Sequence, residues 1–180
     1  MANSTSGRLW TGDTLGILSN SAVWLQRIVY RPAAASQIMQ LNSYGGVGQV
    51  VAANQKASKT GTISGTNTLT SNTNFPATIA VGDVIEILGS TGTAANVHAK
   101  AQISTLDGGT NYVTCVGAGW TNESTKVYSW AIYPQQKEVY LVGGASDASG
   151  VTLDWGPAGR WFPNLVLAVI GGGAVDLYIK

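Results

Sequence analysis

The residues that could carry chemistry in this 180-residue chain are few: one cysteine, one histidine and nine carboxylates. His98 stands in the strand-like run Asn96-Val-His-Ala-Lys-Ala, with no second histidine or cysteine for a metal site and no carboxylate close by in sequence. A hydrogen-bonded surface imidazole accounts for it better than a ligand or a base. Cys115 lies in Asn111-Tyr-Val-Thr-Cys-Val116 and reads as a small buried hydrophobe rather than a nucleophile. Asp83 and Glu86 are three residues apart, so on a strand they point to opposite faces. Glycan cleavage needs two carboxylates facing each other across a groove, and no such pair is legible.

Two glycine-rich stretches suggest ligand loops and fall short of them. Gly45-Gly-Val-Gly48 lacks the Lys-Ser/Thr and the following helix that give a phosphate loop its mechanism. Asp147-Ala-Ser-Gly150 offers a single carboxylate to calcium, and an Asx turn explains it as well. The expectation is a protein with no catalytic residues, no cofactor and no metal.

Aromatic residues give the stronger signal. Trp155 and Trp161-Phe162 flank Gly156-Pro-Ala-Gly159, with Arg160 beside them. One reading has the rings closing the end of a packed domain while Arg160 caps a carboxylate such as Asp154. The other makes the Trp/Arg tip a contact hot spot for a neighbouring subunit or a glycan. Trp120, in the loop Gly117-Ala-Gly-Trp-Thr-Asn, is expected to be exposed on the middle part of the chain. Leu9 and Trp10 sit in a polar N-terminal stretch, and a Trp there is expected to dock somewhere. Candidate protein-contact residues are therefore Leu9, Trp10, Trp120, Trp155, Arg160 and Trp161.

The elements that must position these residues are strands. In the C-terminal block, Val175, Leu177 and Ile179 alternate with Asp176, Tyr178 and Lys180, the period-2 pattern of a half-buried antiparallel strand. Before it, Asn164 to Ile170 is apolar on both faces, and the block reads as strand, Gly-Pro-Ala-Gly turn, strand, Gly-Gly-Gly turn, strand. Ala22 to Arg31 is a β-former run ending at Pro32, followed by short strands at Gln37 to Asn42 and Val47 to Ala52. Asn54 to Asn74, nearly all Ser, Thr, Asn, Gly, Lys and Ala, reads as a linker feeding a short strand or hairpin. Further strands are expected around Val84 to Leu88, at Asn96 to Thr105, Thr110 to Val116, Lys126 to Tyr133 and Glu138 to Val142, with a hairpin at Gly108-Gly109. No helical period emerges.

The resulting expectation is an all-β chain: a jelly-roll-like β-sandwich with a small β-barrel-like domain inserted in one loop, the alternative being a single larger sandwich with a long excursion. Its parts are an N-terminal arm over 1–20, a sandwich over 21–52 plus 138–180, and an insert over 53–137.

Composition bears on partners. The chain is 44% hydrophobic but only 11% charged, with a net charge of +1, against about 25% charged in typical soluble domains. Little charge repulsion opposes association, which favours a homo-oligomer or multi-copy assembly. The ten basic residues are scattered singly, which disfavours nucleic acid. No apolar stretch approaches bilayer length and MANSTSGRLW has no signal-peptide organisation, so no membrane role is expected.

The combination of Val23-Trp-Leu-Gln-Arg-Ile-Val-Tyr-Arg-Pro32, Asp154-Trp-Gly-Pro-Ala-Gly-Arg-Trp-Phe-Pro-Asn-Leu-Val-Leu167 and Ala174-Val-Asp-Leu-Tyr-Ile-Lys180 resembles the small β-sandwich virion proteins of tailed bacteriophages. The middle, with Ala80-Val-Gly-Asp-Val-Ile-Glu-Ile-Leu-Gly-Ser90, Gln102-Ile-Ser-Thr105 and Tyr112-Val-Thr-Cys-Val116, is similar to small β-barrel modules of phage structural proteins. The resemblance implies a non-enzymatic virion component assembled in the host cytoplasm. It suggests a capsid decoration (cement) protein that stabilises the shell by binding across subunits of the major capsid protein. A head-tail or tail-associated protein and a carbohydrate-binding adhesion module are the alternatives.

Overall fold

The computed structural model describes residues 7–45, 52–72, 74–75, 77–106, 111–144 and 148–180, with the backbone alone over 52–59. The expected strand at Val47 to Ala52, the Gly108-Gly109 turn, most of the Gly45-Gly-Val-Gly48 motif and Asp147 lie wholly or partly outside the described residues. The strands are β1 (Leu9–Gly12), β2 (Gly16–Ser19), β3 (Val23–Arg31), β4 (Ile38–Tyr44), β5 (Ala52–Ser64), β6 (Thr68–Ser71), β7 (Val84–Ser90), β8 (Lys100–Leu106), β9 (Tyr112–Val116), β10 (Glu123–Tyr133), β11 (Gln135–Val142), β12 (Val151–Asp154), β13 (Arg160–Phe162), β14 (Leu165–Ile170) and β15 (Ala174–Ile179). Among the described residues, one 3₁₀ turn, Ala94–Asn96, interrupts them. The protein is all-β, and no helix among the described residues is long and apolar enough to cross a membrane.

Two compact units divide the chain, Met1–Tyr44 with Gln136–Lys180 and Gly45–Gln135. The sequence reading places the second unit at 53–137. In the first unit, one sheet has the order β1-β15-β3-β12, with β13 also on β3, and the other has the order β11-β4-β14-β2. Their apolar faces supply one cluster: Leu25, Ile28, Tyr30, Phe162, Val175 and Leu177 from the first sheet, and Leu18, Met39, Leu41, Val139, Leu165 and Leu167 from the second. The alternation read in the last strand is present. Val175 and Leu177 are fully buried, while Asp176, on the other face, accepts from the Thr11 hydroxyl at 3.1 Å and pairs with Arg31 at 2.8 Å.

The C-terminal block is wired differently from the expected succession of hairpins. Both β12 and β13 run antiparallel to β3, β12 opposite Arg27–Tyr30 and β13 opposite Val23–Leu25. The Trp155-Gly-Pro-Ala-Gly159 segment is thus a bulging excursion within one edge of the first sheet. Gly159, at φ +70°, sits where an added Cβ would lie 2.9 Å from the Leu25 carbonyl oxygen, so the excursion returns to the edge only with glycine there. The chain then crosses to β14 in the second sheet, and Gly171–Gly173 carries it back to β15 in the first. Gly173, at φ +83°, lies against the Arg31 carbonyl with no room for a side chain.

Two further expectations are corrected. Within the supposed arm, Leu9–Gly12 and Gly16–Ser19 are strands built into the first unit of the same chain: β1 pairs with β15 and β2 with β14. Joining two sheets satisfies backbone groups that a free arm would leave to water. The supposed linker is the 13-residue β5, which pairs with both β6 and β10. Its polar sequence tolerates a strand because Ile63 together with Leu69 of β6 meets the demand of the interior, both 1% exposed.

The second unit is a closed barrel in the order β10-β5-β6-β9-β8-β7. Closure removes the sheet edges. Its interior is filled by Ile63, Leu69, Phe75, Ile85, Ile87, Ile103, Val113, Cys115, Trp120, Tyr128, Trp130 and Ile132, among others.

Candidate functional site

The six candidate contact residues do not form one site. Trp120 is 1% exposed and belongs to the barrel core, which overturns its expected exposure. Its backbone N–H donates to the Thr66 carbonyl at 2.9 Å, and Gly117 and Gly119, both at positive φ, fold the loop inward so that the ring plugs the barrel. Trp10 packs against the core of the first unit and its indole N–H donates to the Gly7 carbonyl at 3.1 Å. Leu9, directly opposite Tyr178 on the other face, is exposed.

Trp155 and Arg160 turn out to be structural neighbours. Trp155 meets Phe162 edge-on at 5.9 Å, and the Arg160 guanidinium lies 5.0 Å from the Phe162 ring centre and 5.9 Å from that of Trp155. Arg160 does not cap Asp154. It is opposite Leu25, on the core-facing side of its sheet, whereas Asp154 is opposite Arg27 on the outer side. Arg160 instead reaches Glu138 of the other sheet at 2.7 Å, while the Asp154 carboxylate accepts the Gly156 N–H at 2.6 Å.

Only Trp161 of this tip is a free surface ring, 51% exposed, and its directly opposed neighbour on β3 is Trp24, 47% exposed. Trp24 escaped the sequence reading as a site residue, although its place between the buried Val23 and Leu25 puts it on the outer face by simple alternation. Two half-exposed indoles side by side form an apolar patch that water covers at a free-energy cost, and such patches on folded domains mark contact surfaces.

The pair continues into a polar groove along β3. Lys180 holds its Nζ 5.6 Å from the Trp24 ring centre, and the Arg27 guanidinium lies 4.1 Å above the Tyr178 ring. Gln26, Arg27, Asp154, Gly156, Pro157 and Tyr178 line an open cavity of about 290 Å³. Gln26 donates to the Pro157 carbonyl at 3.3 Å, which holds the wall. Arg27 Nε is shielded from solvent and has no hydrogen-bond partner among the described residues. Cross-strand opposition to Asp154 does not bring the two charges into an ion pair.

The barrel holds a titratable cluster around Glu86. Glu86, 8% exposed, faces His98 Nδ1 at 3.3 Å and Lys100 Nζ at 3.8 Å and accepts from the Tyr133 hydroxyl at 2.8 Å. Burial, then the Glu86 hydrogen bond and charge, push the Tyr133 phenol up to about 12. Twelve residues separate Glu86 from His98, and the Ala94–Asn96 turn closes that distance, so sequence proximity misses the pair. Both Glu86 oxygens are engaged, which makes this a charge-satisfying network on the barrel wall. Asp83 belongs elsewhere: it closes a turn by accepting the Ala80 N–H at 2.9 Å. Cys115 is buried in the barrel, its thiol pushed up to about 12 by desolvation, which suits a packing role. No group of three or more His, Cys, Asp or Glu side chains among the described residues is placed to hold a metal ion.

Comparison of the chain with protein-family models, with curated proteins and with solved structures found no match.

Proposed function

We propose that this protein is a non-enzymatic structural component of a tailed-phage virion, a capsid decoration protein that binds in many copies across subunits of the major capsid protein. In this reading the two sheets of the first unit form a jelly-roll-like β-sandwich, and the barrel is a module inserted into one of its loops. The observation that carries the proposal is the placement of the first two strands. β1 ends one sheet and β2 ends the other, so each leaves one hydrogen-bonding edge without a strand partner among the described residues. Exposed Leu9 and Leu15 accompany them, 48% and 38% exposed. An open edge with apolar side chains beside it is a template for adding a strand from another chain. The low charge of the whole chain lets copies crowd on a shell without strong mutual repulsion.

The mechanism is additive. A protein that binds only the assembled shell stabilises that state by mass action, and many weak edge contacts sum over the lattice. Co-sedimentation with empty capsids tests it. The wild-type chain should pellet with the shells, and Leu9→Asp with Leu15→Asp should weaken pelleting about tenfold while leaving the melting temperature in place. A wild type that stays in the supernatant, or a double variant that pellets unchanged, overturns the reading.

A further inference from the structure

We infer that the outer face of the β1-β15-β3-β12 sheet is a binding site for an acidic glycan, centred on Arg27 and flanked by Trp24 and Trp161. The site lies on the sheet face and does not use the free hydrogen-bonding edges of β1 and β2, although Leu9 borders it opposite Tyr178. The inference does not rest on the docking role given to those edges.

The charge balance of the groove supports it. Arg27 is held flat on Tyr178 at 4.1 Å, with its Nε shielded from water and lacking an acceptor among the described residues. Nε itself is closed to solvent and so to a ligand oxygen. The donor an incoming oxyanion meets is the part of the Arg27 guanidinium that lines the groove, which no carboxylate pairs with among the described residues. Lys180, over the Trp24 ring at 5.6 Å, adds a second cation that has no ion pair among the described residues. Against these stand two carboxylates on the same face: Asp154, already accepting the Gly156 N–H, and Asp176, held by Arg31 at 2.8 Å, so that Arg27 and Lys180 face only one carboxylate that lacks a cation partner. The surplus favours an anionic ligand, and the planar fork of arginine favours a carboxylate or sulfate.

The rest of the lining favours a sugar as the carrier of that anion. Arg27 can donate, the second oxygen of Asp154 and Gln26 Oε1 can accept, and Gly156-Pro157 forms a stiff wall. Sugar hydroxyls, which both donate and accept, suit such a mixture, whereas the core of a protein interface is depleted of charge. Trp24 and Trp161 are each about half exposed, and the negative quadrupole of an indole attracts the polarised C–H face of a sugar ring. Lys180 already stands over Trp24, which leaves Trp161 as the stacking ring. Trp24 and Arg27 share the outer face because β3 carries an extra residue at Gln26-Arg27, and the rings and the anion-binding point are spaced by roughly 7 Å along the strand. That separation fits an oligosaccharide laid along β3 better than a single small anion.

Tryptophan fluorescence and calorimetric titration of the full chain test the inference, with tetragalacturonate, its methyl ester, a heparin-derived tetrasaccharide and hexaglutamate as probes. At least one acidic sugar should bind and quench the exposed indoles, and the carboxylate and sulfate probes show which oxyanion is preferred. For the carboxylate sugar, esterification should weaken binding about tenfold, as should Arg27→Met for whichever acidic sugar binds. Arg27→Lys, which keeps charge without the planar stack, should recover only part of it, and Trp161→Ala gives a second variant remote from the Arg27 stack. No binding by either acidic sugar overturns the inference, as does tetragalacturonate binding equal to that of its ester, or binding unmoved by Arg27→Met and Trp161→Ala alike. Hexaglutamate binding as tightly as the sugars also overturns it and assigns the face to an acidic protein surface. Capsid pelleting is measured separately, so loss of one activity with retention of the other tells the two proposals apart.

Discussion

Arg160 on β13 and Glu138 on β11 meet at 2.7 Å, joining the edge strand of one sheet to the edge strand of the other. Glu138 also accepts from the Ser43 hydroxyl at 2.7 Å, and Arg160 spreads over Phe162, which is fully buried. The pair fastens the side of the first unit opposite to β1 and β2. Its place in the fold explains why an arginine next to two tryptophans is part of the framework and not of the contact surface.

Arg160→Met should therefore destabilise the first unit by about 1 kcal/mol, the range of a partly exposed ion pair with one well-placed hydrogen bond. Chemical denaturation measures it, and a double-mutant cycle with Glu138→Gln should recover a coupling of similar size. Titration with acidic sugars should be unchanged in the single variant.

Trp120→Ala should cost about 3–5 kcal/mol, the range for emptying a large aromatic site in a packed core. Thermal unfolding followed by tryptophan fluorescence checks it. A loss below about 1 kcal/mol would belong to a surface residue and would return Trp120 to the outside of the barrel.

Glu123 gives the barrel an acid limit. Burial acts to raise its pKa, but hydrogen bonds from the Tyr128 hydroxyl and the Thr93 N–H outweigh that and hold it at about 2, below the ordinary 4.5. A depressed pKa in the folded state means that its stabilisation is complete above about pH 4.5 and is lost as pH falls toward 2. The loss should be on the order of 2 kcal/mol, and Glu123→Gln should remove this part of the pH dependence. Denaturation midpoints between pH 6 and roughly pH 2.5 give the comparison.

Cys115 should resist thiol reagents at pH 8 in the folded protein, because burial leaves almost none of it as thiolate. Labelling should proceed at the rate of barrel opening and become rapid in denaturant. Rapid labelling of the native chain would place the thiol outside the core.

Local patterns made much of the fold legible. Alternation in Val175 to Lys180 reports which side chains face the core, because a strand sends successive residues to opposite sides. In Val23 to Arg31 it holds on each side of a bulge at Gln26-Arg27 that shifts the buried set from Val23 and Leu25 to Ile28 and Tyr30. The same rule places Trp24 and Trp161 outside once their strands are known. Turn glycines mark where the chain changes direction, since only glycine enters the left-handed region cheaply. They do not say whether the next strand pairs with the last one, and so Gly156–Gly159 and Gly171–Gly173 read as hairpins when one is an excursion along β3 and the other a crossing between sheets. Polar composition misled over β5, because a closed barrel needs only a few inward apolar residues from a strand whose backbone is paired on both sides.

The sequence by itself therefore determined an all-β protein, its alternating core faces and its low charge, all properties set by the local backbone and by composition. Tertiary structure alone decided which residues share a site. Trp24 stands beside Trp161, Arg160 beside Glu138, and His98 beside Glu86 through pairings that span 137, 22 and 12 residues of chain. Trp120 is core and Arg27 sits on an open groove for the same reason. Strand registry and closure are collective, fixed by the whole set of packed neighbours, and no short stretch of sequence carries them.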